Sequence, residues 1–242
     1  MAEKPAAGIG RRIAIVLPAY NEEENIARQV ESVDSVCRDL QFDDWEILVV
    51  DDGSRDRTRA VCEEMAGRYP KLRVLVHEVN KGYAQALRTG FTSATMPLVF
   101  YTDADNQFDV REMKNLLPAI EDYDLVCGFR IYRFDPFTRL VLSWGYNLLV
   151  RIIFRIRVRD VDCAFKLFRR EIFDRIHIES KKFFVDTEIL AKASRLGMKM
   201  TEIGVRHYPR TAGQSTVRPS HIISTLGEIV SMWTDIHVRG KI

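Results

Sequence analysis

Asp103, Asp105 and Gln107 follow an apolar run, Leu98-Val99-Phe100-Tyr101, and Thr102, with single residues between them. The run reads as a buried strand. Alternate residues of an extended chain point the same way. If the chain stays extended past the strand, these three side chains present oxygen donors to one point. Hard oxygens beyond a strand's carboxyl end suit Mg²⁺ or Mn²⁺ holding a diphosphate. In open α/β sheets that edge is where ligands bind. The alternative is a polar loop with Asp105 and Asn106 as turn residues.

The surrounding pattern must place them. Residues 13–17 form a short apolar run stopped by Pro18 and read as a parallel strand. Asn21 then caps a helix whose first turn is Glu22-Glu23-Glu24, with apolar Ile26, Val30, Val33 and Val36 at helical spacing. Strands are expected at 45–50, 72–76 and 124–128, and helices at 56–69, from Gly82 on, and at 110–120. Strands alternating with helices predict a mostly parallel sheet with right-handed crossovers. Their ends carry Tyr20-Asn21-Glu22, Asp51-Asp52, Asp103-Ala104-Asp105 and Arg130, an acidic cluster on one rim. Neither GxGxxG nor GxxxxGK[ST] occurs, so no dinucleotide fingerprint or P-loop explains that rim.

With 242 residues the chain can bury a sizeable core in one domain, or one domain with an appendage. Its net charge of +2 predicts no partner by itself, and no nucleic acid is expected. Cys37, Cys62, Cys127 and Cys163 form no CxxC pair, which argues against zinc and for reduced thiols in a cytosolic chain. No signal peptide is read at the N-terminus, and no run approaches the ~20 apolar residues that span a bilayer.

After Arg130 the pattern changes. Residues 134–158 mix apolar positions with Arg139, Arg151, Arg155 and Arg157, and Arg133 and Arg159 flank them. One or two helices lying in a membrane interface fit, with arginines toward anionic headgroups. A buried helical hairpin with solvated arginines is the alternative. Beyond it a strand at 164–168, a helix at 186–196, a strand at 200–208, a loop at 209–215 and an amphipathic helix at 222–233 are expected. The division is a flexible segment 1–11, a catalytic domain 12–218 and a tail 219–242.

With these residues in view, the chain resembles family-two glycosyltransferases of the GT-A fold. Within them it is similar to the dolichol-phosphate mannosyltransferase and polyprenol-phosphate glycosyltransferase group. The matching pieces are Pro18-Ala19-Tyr20-Asn21-Glu22, Val49-Val50-Asp51-Asp52-Gly53-Ser54-Arg55-Asp56, Asn80-Lys81-Gly82-Tyr83, Thr102-Asp103-Ala104-Asp105-Asn106-Gln107, Gly128-Phe129-Arg130, Asp162-Cys163-Ala164-Phe165-Lys166 and Arg210-Thr211-Ala212-Gly213-Gln214-Ser215, in family order. The resemblance implies a Rossmann-like, mostly parallel sheet flanked by helices. It implies that Pro18, Tyr20, Glu22, Val50 and Asp52, with Ala104, line the nucleotide-sugar pocket. Asp103, Asp105 and Gln107 would hold Mg²⁺ or Mn²⁺ against the diphosphate. Arg210, with Ser215, would clamp that diphosphate, and Arg130, with Arg139 and Ser143, would receive the acceptor's phosphate.

The implied reaction is inverting transfer of a hexose, mannose from GDP-mannose before glucose from UDP-glucose, to polyprenol phosphate. Asp105, Arg130 and Arg210 carry the chemistry. Attachment is expected to be peripheral, on the cytoplasmic face of a membrane, with an anchoring partner subunit as a further expectation. A hydroxyl acceptor must lose its proton and needs a base. A phosphate monoester, with second pKa near ~6, is already largely ionised at neutral pH. Asp186 is the base in the hydroxyl alternative, and a helix cap otherwise. A non-catalytic scaffold is the remaining alternative. Asp51 reads as structural, His207 and His221 as surface or structural, Lys81 as solvated, and His77 receives no role.

Overall fold

The computed structural model describes residues 11–132, 137–180, 184–209 and 221–242, excluding the side chains of 137–139 and 221–226. Among these, seven strands form one sheet: β1 (Arg12–Ala19), β2 (Asp44–Asp51), β3 (Leu72–Val76), β4 (Leu98–Thr102), β5 (Leu125–Arg130), β6 (Phe165–Arg169) and β7 (Met200–Val205), in the order β3-β2-β1-β4-β6-β5-β7. Helices α1 (Ile26–Asp39), α2 (Thr58–Arg68) and α3 (Tyr83–Ser93) make the crossovers of the parallel half. The central strands are apolar at almost every position because helices cover both faces. Ile13, Ile15, Val16, Val49, Phe100 and Tyr101 are completely buried.

β6 runs antiparallel between β4 and β5, with Thr102 opposite Phe165 and Cys127 opposite Lys166. Two strands that are each antiparallel to a third run the same way, so the carboxyl ends of β4 and β5 share one rim. β1 runs through Pro18 to Ala19 instead of stopping before it. Its pairing with β4 ends at Val16, so the missing proline N–H removes no bond to that strand.

Asn21 does not cap α1, which begins at Ile26. It sits in the left-handed region at φ 56°, which asparagine tolerates. Its N–H donates to Ser54 Oγ at 3.0 Å, and its Oδ1 accepts from the Arg55 amide at 2.8 Å. The loop after β1 is thereby stitched to the loop after β2. The helix expected at 110–120 is two 3-10 turns, Val110–Asn115 and Ala119–Glu121. Pro118 separates them, since it lacks an N–H and disfavours helical geometry just before it.

Among the described residues of 134–158 there is one helix, α4 (Phe137–Phe154). Val150 and Phe154 are buried, while Val141, Leu142, Trp144, Leu148 and Ile152 are exposed. Among the described arginines of this stretch, Arg155 follows the helix with φ 54° and is exposed, whereas Arg151 has its Nε buried. A short turn of helix, α5 (Ile172–Arg175), and α6 (Val185–Arg195) follow. The last helix, α7 (His221–His237), runs four residues past its expected end and packs on α4 and α6, burying Ile229 and Ile236.

Gly53 turns the chain after β2 at φ +69°, where a Cβ would lie 2.5 Å from the Asn80 backbone nitrogen. A side chain there meets both the left-handed penalty of ~1–2 kcal/mol and a backbone clash. Gly53→Ala is expected to lower stability by at least ~1 kcal/mol in urea denaturation. An unchanged midpoint would refute this packing.

Candidate active site

Past β4 the chain does not stay extended. It turns through residues 104–106, with Asn106 left-handed at φ 57°. Asp105 Oδ1 accepts from the Gln107 amide at 3.1 Å, so a turn, not strand alternation, brings Asp105 and Gln107 together. The loop is pinned from three sides. The Tyr83 hydroxyl at the start of α3 donates to Asp103 Oδ1 at 3.0 Å. From α1, Gln29 Nε2 donates to the Asp103 carbonyl at 3.3 Å, while Asn106 Nδ2 donates to the Asn25 carbonyl at 3.1 Å. Gln107 Nε2 donates to the Tyr208 carbonyl at 3.0 Å, which turns its Oε1 the other way. Burial, and then the Asp103 charge, push the Tyr83 phenol well above its usual range, so it stays a donor.

Among the described residues, no three or more His, Cys, Asp or Glu side chains gather as metal ligands. Two carboxylates and an amide fit a different kind of site. Mg²⁺ and ions like it are often held by one or two carboxylates, with substrate phosphates and water completing the shell.

Of the residues expected to line the nucleotide-sugar pocket, Pro18, Val50 and Ala104 are buried and Tyr20 and Glu22 half-buried. Asp51 accepts from the Ser54 amide at 3.1 Å, a structural role. Asp52 is buried with both carboxylate oxygens engaged. Oδ1 accepts from the Lys81 amide at 2.9 Å and faces His77 Nδ1 at 2.6 Å; Oδ2 accepts from the Gly82 amide at 2.8 Å. Any base contact by Asp52 shares a carboxylate that already ties down the 80–82 turn. His77, given no role from sequence, completes this clamp and reaches Thr89 Oγ1 at 2.9 Å through Nε2. The signal was the parallel register, which sets Val76 opposite Asp51 and so His77 beside Asp52.

Beneath the rim lies a buried polar network that sequence reasoning missed. Lys166 of β6 points its Nζ at Asp186 Oδ1 (2.7 Å), the Cys163 carbonyl (2.6 Å) and the Tyr101 hydroxyl (3.2 Å). Tyr101 also donates to Asp186. Burial alone would lower the Lys166 ammonium, but Asp186 and its neighbours outweigh it and raise the pKa. Asp186 is therefore part of an ion pair below the surface, not a free carboxylate at the helix start.

Arg130, at the end of β5, is held by Asp160 in a two-pronged pair, Nε to Oδ2 at 2.7 Å and Nη2 to Oδ1 at 2.6 Å. Burial opposes its charge, but that pairing raises its pKa. Ser143 Oγ lies 3.4 Å from Asn147 Nδ2. The Arg139 side chain, Arg210 and Ser215 lie outside the described residues.

The Lys166–Asp186 pair makes a stability prediction. Lys166→Met leaves a carboxylate buried without its partner and is expected to cost ~3–5 kcal/mol. Adding Asp186→Leu should recover most of it. Urea denaturation of both variants checks this, and a double variant no more stable than the single would contradict it.

Among curated proteins, the chain is 32% identical over 252 aligned residues to Glycosyltransferase AglD of Haloferax volcanii, covering 99% of this chain and 40% of that protein. It is 33% identical to Dolichyl-phosphate beta-glucosyltransferase ALG5A of Trichomonas vaginalis, covering 80% of this chain and 64% of the relative. It is 30% identical to Undecaprenyl-phosphate 4-deoxy-4-formamido-L-arabinose transferase of Pectobacterium carotovorum, covering 92% and 73%. The chain thus spans less than two thirds of the length of the first two. Among solved structures, glucosyl-3-phosphoglycerate synthase from Mycobacterium tuberculosis in complex with Mn²⁺, uridine-diphosphate and phosphoglyceric acid superposes with a TM-score of 0.67 at 22% identity, covering 93% of this chain and 78% of that one. That likeness is one of fold, the GT-A fold. The profile described as Glycosyl transferase family 2 matches residues 14–177, from β1 through α5. On that match and these identities, the chain belongs to glycosyl transferase family 2.

Proposed function

We propose that this chain transfers a hexose, with inversion, from a nucleotide-diphosphate sugar to a polyprenol phosphate at a membrane surface. The observation that carries the reading is the commitment of Asp186 to Lys166 and Tyr101. A hydroxyl acceptor needs a base at that position, and this carboxylate is buried and paired. A phosphate acceptor arrives ionised and needs only positioning and charge compensation.

Asp103, Asp105 and the Gln107 carbonyl are the residues that would hold a divalent ion. Mg²⁺ or Mn²⁺ held by these residues would supply charge compensation for the departing diphosphate. Asp52, His77 and the 80–82 turn form a rigid wall for the nucleotide. Arg210 and Ser215 are assigned to the diphosphate by their motif alone. Arg130, already aimed by Asp160, is assigned to the acceptor's phosphate with Arg139 and Ser143. A single displacement at the sugar carbon inverts it.

Glucose from a UDP donor is now favoured over the mannose expected from sequence, because relatives of comparable identity are named dolichyl-phosphate beta-glucosyltransferases and another transfers an arabinose derivative. Attachment on the cytoplasmic face is part of this reading; the exposed apolar residues of α4 support contact with a membrane surface, and no described helix is long and apolar enough to cross a membrane.

A hydroxyl acceptor is the second reading, and Asp162 is what favours it. The residue is exposed, and its acidic neighbours are Asp160 and Asp186. Desolvation, and then the charges of Asp186 and Asp160, raise its carboxyl to about 7. A base with that pKa works when deprotonated, so its activity would rise through neutral pH.

Purified protein given labelled UDP-glucose and GDP-mannose in parallel, with Mn²⁺ and polyprenyl phosphate, is expected to transfer glucose to the lipid. Asp105→Ala should lose on the order of 10²–10³ in rate. Metal-independent transfer, or hydrolysis of the donor with no lipid product, would overturn the reading. Asp162→Asn is expected to leave transfer to polyprenyl phosphate within a few-fold; transfer to a sugar hydroxyl that rises through neutral pH and is lost in Asp162→Asn would establish the second reading instead.

A further inference from the structure

A recess of about 330 Å³ lies between α4 and the end of β5. That is within the range of small-ligand clefts, ~300 Å³ upward. Its polar lining is Arg130, Asp160, Arg151 and Arg159. Two of the three guanidiniums are already matched. Arg130 is paired with Asp160, and Arg159 is paired with Glu202 and stacked over the Phe129 ring at 4.0 Å. Arg151 is different. Its Nε is buried with no hydrogen-bond partner, and among the described residues it has no ion pair. Buried polar groups without partners are rare and ask for an explanation. The mouth of the recess is apolar: Trp144, 67% exposed, and Leu148 line it, and Ile152 continues the same exposed helix surface.

We propose that this recess binds a phosphate monoester carried on an apolar chain, with the Arg151 guanidinium as its charge partner and Trp144 and Leu148 under the hydrocarbon. An arginine suits a phosphate because it offers several N–H donors in one plane. The matched charges of Arg130 and Arg159 leave Arg151 as the unneutralised cation of the recess. Arg130 lines the recess and stands on the rim that carries Asp103 and Asp105, so the bound phosphate lies beside the proposed transfer site. Two lipids carry this chemistry, the polyprenyl phosphate acceptor and an anionic phospholipid such as phosphatidic acid. The first source rests on the proposed function; the site itself does not.

The test is flotation of the whole chain with phosphatidylcholine vesicles doped with either polyprenyl phosphate or phosphatidic acid. Loss of one charge-assisted contact predicts ~10- to 100-fold weaker binding for Arg151→Gln. Arg155→Gln, which removes the same charge from an exposed position one turn on, should change binding less than ~3-fold. A drop confined to the polyprenyl phosphate arm assigns the site to the acceptor, and one confined to phosphatidic acid assigns it to a headgroup. Equal effects of Arg151→Gln and Arg155→Gln, or none in either arm, would overturn the site. Arg151→Lys, which keeps the charge, should restore part of the binding. Trp144→Ala, at an exposed position that folding does not require, should weaken vesicle binding while inorganic phosphate competes unchanged. If wild-type protein fails to glycosylate polyprenyl phosphate but its vesicle binding still depends on Arg151, the transfer reading falls and this site stands.

Discussion

The Lys166–Asp186 pair joins the strand that reverses the sheet to the helix that follows the site. A buried ion pair is seldom a net gain in stability over well-packed apolar residues. Its consequence here is geometric. One ammonium holds the α6 carboxylate, the Tyr101 hydroxyl of β4 and the carbonyl of Cys163, so β4, β6 and α6 are set relative to one another directly beneath the rim. The same contacts remove Asp186 from acid–base work. Packing and chemistry are decided by one interaction: the scaffold that steadies the Asp103–Asp105 loop is built from the carboxylate that a hydroxyl-accepting enzyme would keep free.

Above that floor, the rim loops hold each other. The loop after β1 is bonded to the loop after β2 through Asn21, and the latter clamps the turn after β3 through Asp52. That turn leads into Tyr83, which bonds Asp103. Gln107 closes the circuit onto the chain past β7. Preorganisation of this kind places donors before a ligand arrives, and it is what electrostatic catalysis requires. His77 belongs to the circuit although it touches no candidate ligand group.

Local signals carried the parallel half of the fold. Apolar runs ending in Asp-Asp or Asp-Ala-Asp gave β2 and β4, and the spacing of Ile26, Val30 and Val33 gave α1, because burial on two faces or on one stripe writes itself into the residues. What was illegible depended on distant partners. Asn21 looks like a helix cap until Ser54 and Arg55 are beside it. The extended Asp103–Gln107 segment fails because Asp105 prefers its own turn. Nothing local says that β6 runs antiparallel, that Lys166 is buried, or that Arg151 lines a recess. The oxygen donors of Asp103, Asp105 and Gln107 were visible as residue types; the turn that brings Asp105 and Gln107 together was not.

The central claim is that the acceptor brings its own negative charge because no carboxylate at the start of α6 is free to create one. Initial rates with polyprenyl phosphate and with the neutral polyprenol of the same length, under one donor and one metal, test it most directly. The account predicts transfer to the phosphate and, for want of a base worth ~10²–10⁴ in rate, transfer to the alcohol slower by at least ~100-fold. Comparable rates with the two acceptors would contradict it.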